Sequence, residues 1–372
     1  MDVFVGMKRL ALLSFLVLAA ALPGAAPGAG CSPLDCAASG VPVGNGYLAA
    51  RPGGAHGVAQ IVDLRTGELK WSLPQGMLNG RTLVEQPESQ TLVWHDAITG
   101  KVTGTATIKA AGPFSLVGLS QEGNRAVLVN VSKQESTFVV VSQTDEQTFT
   151  LPTNQWGFDA LSGNKLYLLK YLNSGYEIRL YDLTSGQLIA KPLKDPKASS
   201  TIWGIAWERV ASPDGRYLFT LYVGGNGAAM VHQLDLKTST ARCIDLPGTG
   251  DFNATTTWAM ELAPNGKTLW AVNPSYGRVV GIDVAKRSVR VAFRFKKSAL
   301  YDNGPASSIS AISPDGSRMV LGAAGKIFYV SMAKRVVVKG VPRRAVAFGY
   351  SPDGATLWAV DKSEQVVALP AL

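Results

Sequence analysis

The sequence predicts an all-β chain, folded as a β-propeller of four-stranded blades, and three observations carry that prediction. One turn recurs as Ser212-Pro213-Asp214-Gly215, Ala263-Pro264-Asn265-Gly266, Ser313-Pro314-Asp315-Gly316 and Ser351-Pro352-Asp353-Gly354, each with an apolar strand behind it. A second turn interleaves with the first: Asp63 to Gly67, Asp96 to Gly100, Asp182 to Gly186 and Asp235 to Thr238, with worn copies at Asp283 to Lys286 and Ser331 to Lys334. Between the turns lie apolar segments of five to eight residues, and no stretch of 12 or more keeps a helical period. The turn chemistry is local. Proline sets φ near −65°, the Asp or Asn side chain accepts nearby backbone N–H groups, and glycine takes positive φ without steric cost. Strand–turn–strand units repeated at this spacing need neighbours to cover their faces, which a ring provides.

In chain order, residues 1–30 read as an export signal. Lys8 and Arg9 precede the apolar run Leu10 to Leu22, and small residues continue to Gly30; Met7 is an alternative start. Cleavage before Cys31 is expected. That placement admits three outcomes, namely a plain secretory signal, a lipidated Cys31 and an uncleaved anchor, and Gly28 departs from the Leu-like residue a lipidation signal prefers. Residues 31–40 form a linker and 41–372 the propeller. Cys31, Cys36 and Cys243 are the three cysteines. In an oxidising compartment they allow one disulfide, Cys36 with Cys243 or Cys31 with Cys36. No later run approaches the roughly 20 apolar residues of a membrane span. The net charge of +9 becomes +8 once Asp2, Lys8 and Arg9 leave with the signal, which favours anionic envelope partners over nucleic acid.

Eight pairs of middle strands follow. They centre on Tyr47-Leu48 with Ile61-Val62, Thr82-Leu83 with Leu92-Val93, Ala126-Val127 with Phe138-Val139, and Leu166-Tyr167 with Ile178-Arg179. The other four centre on Tyr217-Leu218 with Met230-Val231, Leu269-Trp270 with Val279-Val280, Met319-Val320 with Ile327-Phe328, and Leu357-Trp358 with Val366-Val367. Eight blades are expected, or seven if the second unit is an embellishment. The last unit ends after its third strand, so Val41-Pro42-Val43 is expected to complete it and close the ring.

The Ser-Pro-Asp-Gly turn followed by Leu357-Trp358-Ala359-Val360 resembles the bacterial YVTN-type propeller repeat, broadly similar to WD40 repeats. Ala59 to Trp71, with Thr66-Gly67 ahead of Trp71, resembles a repeat of pyrroloquinoline-quinone-type propellers. The resemblance covers nearly all of residues 41–372 and implies fold, not function. Quinoprotein dehydrogenases carry adjacent cysteines, which are absent here, so no quinone or other cofactor is expected. His56, His95 and His232 fall at unlike positions in different units, so no metal or catalytic histidine site is expected.

Two features could carry binding. Trp156, Trp207 and Trp258 lie at matching positions in the innermost strands, with Asp159, Glu208 and Glu261 beside them at odd spacing, hence on the opposite face. Together they are candidates for a channel site taking a sugar or cationic ligand; the alternative is packing between blades. Trp270, Trp358, Trp71 and Trp94 read as filler. The second feature is basic: Arg290, Arg294 and Lys296 share one strand face, with Arg343 and Arg344 expected on the next blade.

The leading reading is an exported, non-enzymatic propeller of the cell envelope, a monomer. It would bind an envelope protein, a glycan or anionic cell-wall polymer, or a small ligand, with peripheral membrane association as a further option. A lactonase- or lyase-like enzyme using the channel acids is the alternative. A third reading is a scaffold resembling the propeller lipoprotein that helps insert outer-membrane proteins. Intact-mass measurement of the exported protein tests the processing. A chain starting at Cys31 is expected, a diacylglyceryl increment would establish lipidation, and a mass retaining residues 7–30 would refute cleavage.

Overall fold

The computed structural model describes residues 40–50, 58–173, 175–195, 202–224, 227–248, 250–295, 309–323 and 325–371. Residues 1–39, where the export signal and most of the linker with Cys31 and Cys36 are expected, lie outside them, as do His56 and Lys296.

Eight antiparallel sheets follow one another along the chain as a ring of blades. Blades 1 to 4 span residues 40–73, 77–107, 115–152 and 156–188; blades 5 to 8 span 205–246, 259–294, 309–342 and 347–370. Each of the eight expected pairs of strands supplies the second and third strands of a blade. The second unit is a full four-stranded blade, so the count is eight. A single helical turn, Phe252–Thr255, capped by Asp251, is the only helix among the described residues.

Both turn families work as the residues dictate. In three copies of the first, the serine hydroxyl lies against the Asp carboxylate: Ser212 with Asp214 at 2.5 Å, Ser313 with Asp315 at 2.6 Å and Ser351 with Asp353 at 2.6 Å. The same carboxylate accepts the N–H two residues on, and Gly215 sits at φ +67°. These turns join first to second strands. The Asp turns join third to fourth strands. Where glycine is missing from them, Ser239, Arg287 and Arg335 take its positive φ, at 53°, 55° and 57°.

The ring is not closed by strand exchange. Gly40–Gly44 pairs with Tyr47–Ala50 as the innermost strand of blade 1, joined through Asn45-Gly46, both at positive φ. A two-residue hairpin of that kind leaves no length to reach another blade. The expectation that Val41-Pro42-Val43 completes blade 8 is therefore wrong, and Asn45-Gly46 is the signal that decides it. Among the described residues blade 8 has three strands, ending with Val366–Pro370.

Apolar packing joins every neighbouring pair of blades. One cluster lies between blades 1 and 2 (Ile61, Leu73, Leu83), and others follow at each junction round to Leu48, Val62, Ala347 and Val360 between blades 1 and 8. Tryptophans pin the junctions. Trp358 of blade 8 donates its Nε1–H to the Leu64 carbonyl of blade 1 at 2.7 Å, and Trp71 of blade 1 donates to Ala97 of blade 2 at 3.1 Å. Deleting residues 365–372 would strip blade 8 to two strands and uncover the junction with blade 1. The thermal midpoint should drop by several degrees with loss of the single cooperative transition; an unchanged midpoint would show that closure does not depend on blade 8.

Candidate functional site

The innermost strands surround a central cavity of about 690 Å³, a size suited to a small molecule. Its lining includes Gly80, Gln121 and Ser212-Pro213, so it reaches the face that carries the Ser-Pro-Asp-Gly turns. The wall from blades 1 to 3 presents Val41, Val43, Met77 and Leu119 together with Asn79 and Gln121; that from blades 4 to 7 presents the charged groups among apolar residues such as Phe158 and Met260.

Those polar groups link successive blades. Asp159 of blade 4 receives Arg209 of blade 5, with Nη2 to Oδ1 at 2.5 Å and Nη1 to the Asp159 carbonyl at 2.8 Å. Glu208 of blade 5 accepts the Met260 N–H of blade 6 at 2.7 Å. Glu261 of blade 6 accepts the Ser310 hydroxyl of blade 7 at 3.0 Å. Asp159 thus has a full counter-charge, while no cation stands within 4 Å of Glu208 or Glu261 among the described residues. Burial lifts the Glu208 carboxyl well above its ordinary range, and the nearby charge of Glu261 lifts it further. Burial likewise raises Glu261, to about 7, against the opposing pull of the Ser310 hydrogen bond. At neutral pH Glu261 is divided between its protonated and its charged form.

Backbone irregularities lie beside Asp159 and Glu208. The register of blade 4 shifts between Phe158 and Ala160, at Asp159, and that of blade 5 shifts between Ala206 and Glu208, at Trp207. Such bulges redirect side chains and are invisible to spacing arguments. The inner strand of blade 6 keeps its register through Glu261, and Asp159, Glu208 and Glu261 all line the cavity.

The three tryptophans do not line it. Trp156 is buried between blades 3 and 4 and donates to the Pro152 carbonyl at 2.8 Å. Trp258 is buried between blades 5 and 6, and Trp207 packs against the same cluster. Sequence spacing also misses Arg209, whose partner is fifty residues away, and Ser310. His95 bonds Glu85 at 3.0 Å in blade 2, while His232 is buried in blade 5 and held neutral by burial, with its pKa down to about 4. Cys243, in the fourth strand of blade 5, has a thiol pushed up to about 11 by burial. Of the basic residues, Arg290 and Arg294 are exposed on the outer strand of blade 6, and Arg343, half-buried, and Arg344, exposed, follow the outer strand of blade 7.

No protein-family profile matches the chain, and no curated protein matches it in sequence. Solved structures match in shape. Apo AztD from Citrobacter koseri aligns with a TM-score of 0.52 at 15% identity, over 82% of this chain and 86% of that one. The computationally designed Ika8 protein aligns at 0.52 and 12% identity, over 92% and 98%. Dihydro-heme d1 dehydrogenase NirN, in complex with DHE, aligns at 0.50 and 15% identity, over 94% and 76%. At these identities they establish the eight-bladed, WD40-like propeller fold and nothing further.

The raised carboxyls give a signed pH prediction. Glu261 holds its proton in the folded state up to about pH 7 but loses it near 4.5 when unfolded. Its contribution is therefore fully present below about pH 4.5 and is lost as pH rises through 7. Glu261→Gln should match the wild type at pH 4.5 and be more stable at pH 8, by at most about 3 kcal/mol. Urea denaturation at both pH values reads this out, and a variant less stable than wild type at pH 8 would contradict it.

Proposed function

We propose that this protein is an exported, non-enzymatic binding module of the cell envelope whose central channel takes a small ligand. The ligand is amphipathic, with an apolar body against Val43, Met77 and Leu119 and an ammonium or comparable donor group at Glu208 and Glu261. The single observation that carries the reading is the pair of cavity-lining carboxyls with no cation beside them among the described residues, in a cavity whose wall also presents Val43, Met77 and Leu119. An incoming cation would supply the counter-charge that Asp159 already has in Arg209. Export is supported by the Lys8-Arg9 and Leu10 to Leu22 pattern. The lactonase- or lyase-like alternative is disfavoured at Asp159, because the Arg209 guanidinium already occupies both its carboxylate and its backbone carbonyl.

Binding a cation must displace protons from the pair, so affinity should rise with pH. The test is a thermal-shift screen with spermidine, glucosamine and choline, beside the neutral sugar glucose, at pH 5 and pH 8. Stabilisation by a cationic probe at pH 8, weaker at pH 5 and absent in the Glu208→Gln/Glu261→Gln double variant, is expected. Stabilisation by glucose alone, or an equal shift in the double variant, would reject the assignment.

A further inference from the structure

Folding sorts the basic residues of the 278–344 stretch by strand end, not by position in sequence. Lys286, Lys334 and Arg335 fall in the turns between third and fourth strands of blades 6 and 7, on the face of the Ser-Pro-Asp-Gly turns. A different set reaches the opposite face. Arg278 opens the third strand of blade 6, Arg294 closes the fourth, and the two are direct cross-strand partners. In blade 7, Lys326 opens the third strand and pairs with Pro342 at the end of the fourth. Arg343 and Arg344 follow at once, and Arg344 lies against Gly325, where an added Cβ would stand 3.3 Å from its Nε.

Five cations thus share one edge of two neighbouring blades. Like charges placed directly opposite one another in a ladder destabilise it, and Arg278 with Arg294 is such a pair. Among the described residues no carboxylate lies within 4 Å of any of the five, and Asp361 feels the charge of Arg343 only as the smallest influence on it. The edge carries an unmet electrostatic cost that an external anion would relieve.

We propose that this edge docks peripherally on a membrane surface rich in anionic phosphate headgroups. Four of the five cations are arginines, whose planar fork meets phosphate oxygens in pairs. They are spread along strand ends of two neighbouring blades, which suits a planar array of phosphates better than one polymer chain. Among the described residues no aromatic side chain is exposed, so nothing here stacks a nucleic-acid base or a sugar ring. Arg290, midway along the outer strand, lies off this edge. The docking is independent of what the channel binds, and the cavity reaches the opposite face.

The experiment is co-sedimentation of the purified protein, carrying Cys31→Ser to remove any acyl chain, with vesicles of phosphatidylcholine alone or mixed with phosphatidylglycerol. Binding is expected only to the phosphatidylglycerol vesicles, weakening steeply with salt. The variant Arg294→Glu/Lys326→Glu/Arg344→Glu changes three exposed residues and should bind on the order of a hundredfold more weakly. The matched variant Lys286→Glu/Lys334→Glu/Arg335→Glu, with the same net charge, should bind like the parent. Thermal midpoints of both variants confirm that the fold is kept. Absence of parent binding, equal loss in both variants, or binding to soluble polyphosphate with none to vesicles would each overturn the proposal.

Discussion

The structure depends on the junction between blades 8 and 1. Every blade carries two apolar faces and can bury neither alone, so an open row would leave one uncovered at each end. Bringing blade 8 onto blade 1 removes both ends. The junction buries Leu48, Ala50 and Val62 against Ala347 and Val360, and each large apolar side chain removed from water contributes on the order of 2 kcal/mol. Its fit is close. A side chain at Gly40 would put a Cβ 2.6 Å from that of Ala347, and one at Gly349 would strike Leu64 at 2.5 Å. Trp358 then spans the gap to the Leu64 carbonyl, and Gln60 reaches Glu364 at 3.0 Å.

The channel follows from that closure. The ring of eight inner strands leaves a bore between them, and the groups facing it are held from behind by the clusters between blades. Glu208 is 93% buried yet lines the cavity, a combination that only a rigid wall sustains. The links Asp159–Arg209, Glu208–Met260 and Glu261–Ser310 each cross from one blade to the next. Charge at the site and packing of the ring are therefore coupled: Asp159 and Glu208 sit out of water because the blades stay together, with Glu261 half-buried beside them.

How much was legible in the sequence follows the range of the interactions involved. The Ser-Pro-Asp-Gly turns are local, so their residues announce them and the strand pairs around them, and the blade count follows. The last unit ends after its third strand, which points to Val41-Pro42-Val43 as the missing one, whereas Asn45-Gly46 beside it closes a hairpin within blade 1. The carboxylates of the channel could be named, but their surroundings could not. The bulges at Asp159 and Trp207 leave no mark in residue spacing, and Arg209 and Ser310 reach the site only through the ring. Trp156, Trp207 and Trp258 share a position because they share a packing role, which regular spacing also produces. The basic residues were grouped by sequence, whereas alternate strand ends send neighbours in sequence to opposite faces.

Native-state hydrogen exchange tests the closed ring most directly, by comparing amides of Thr356–Val360 in blade 8 and Ala59–Asp63 in blade 1 with those of Thr268–Asn273 in blade 6. A ring closed through the Leu48, Val62 and Ala347 junction has no free end, so all three strands should exchange through the same global opening with matching free energies. Exchange of the blade 8 and blade 1 strands through a separate, lower-energy opening, with blade 6 unaffected, would contradict it.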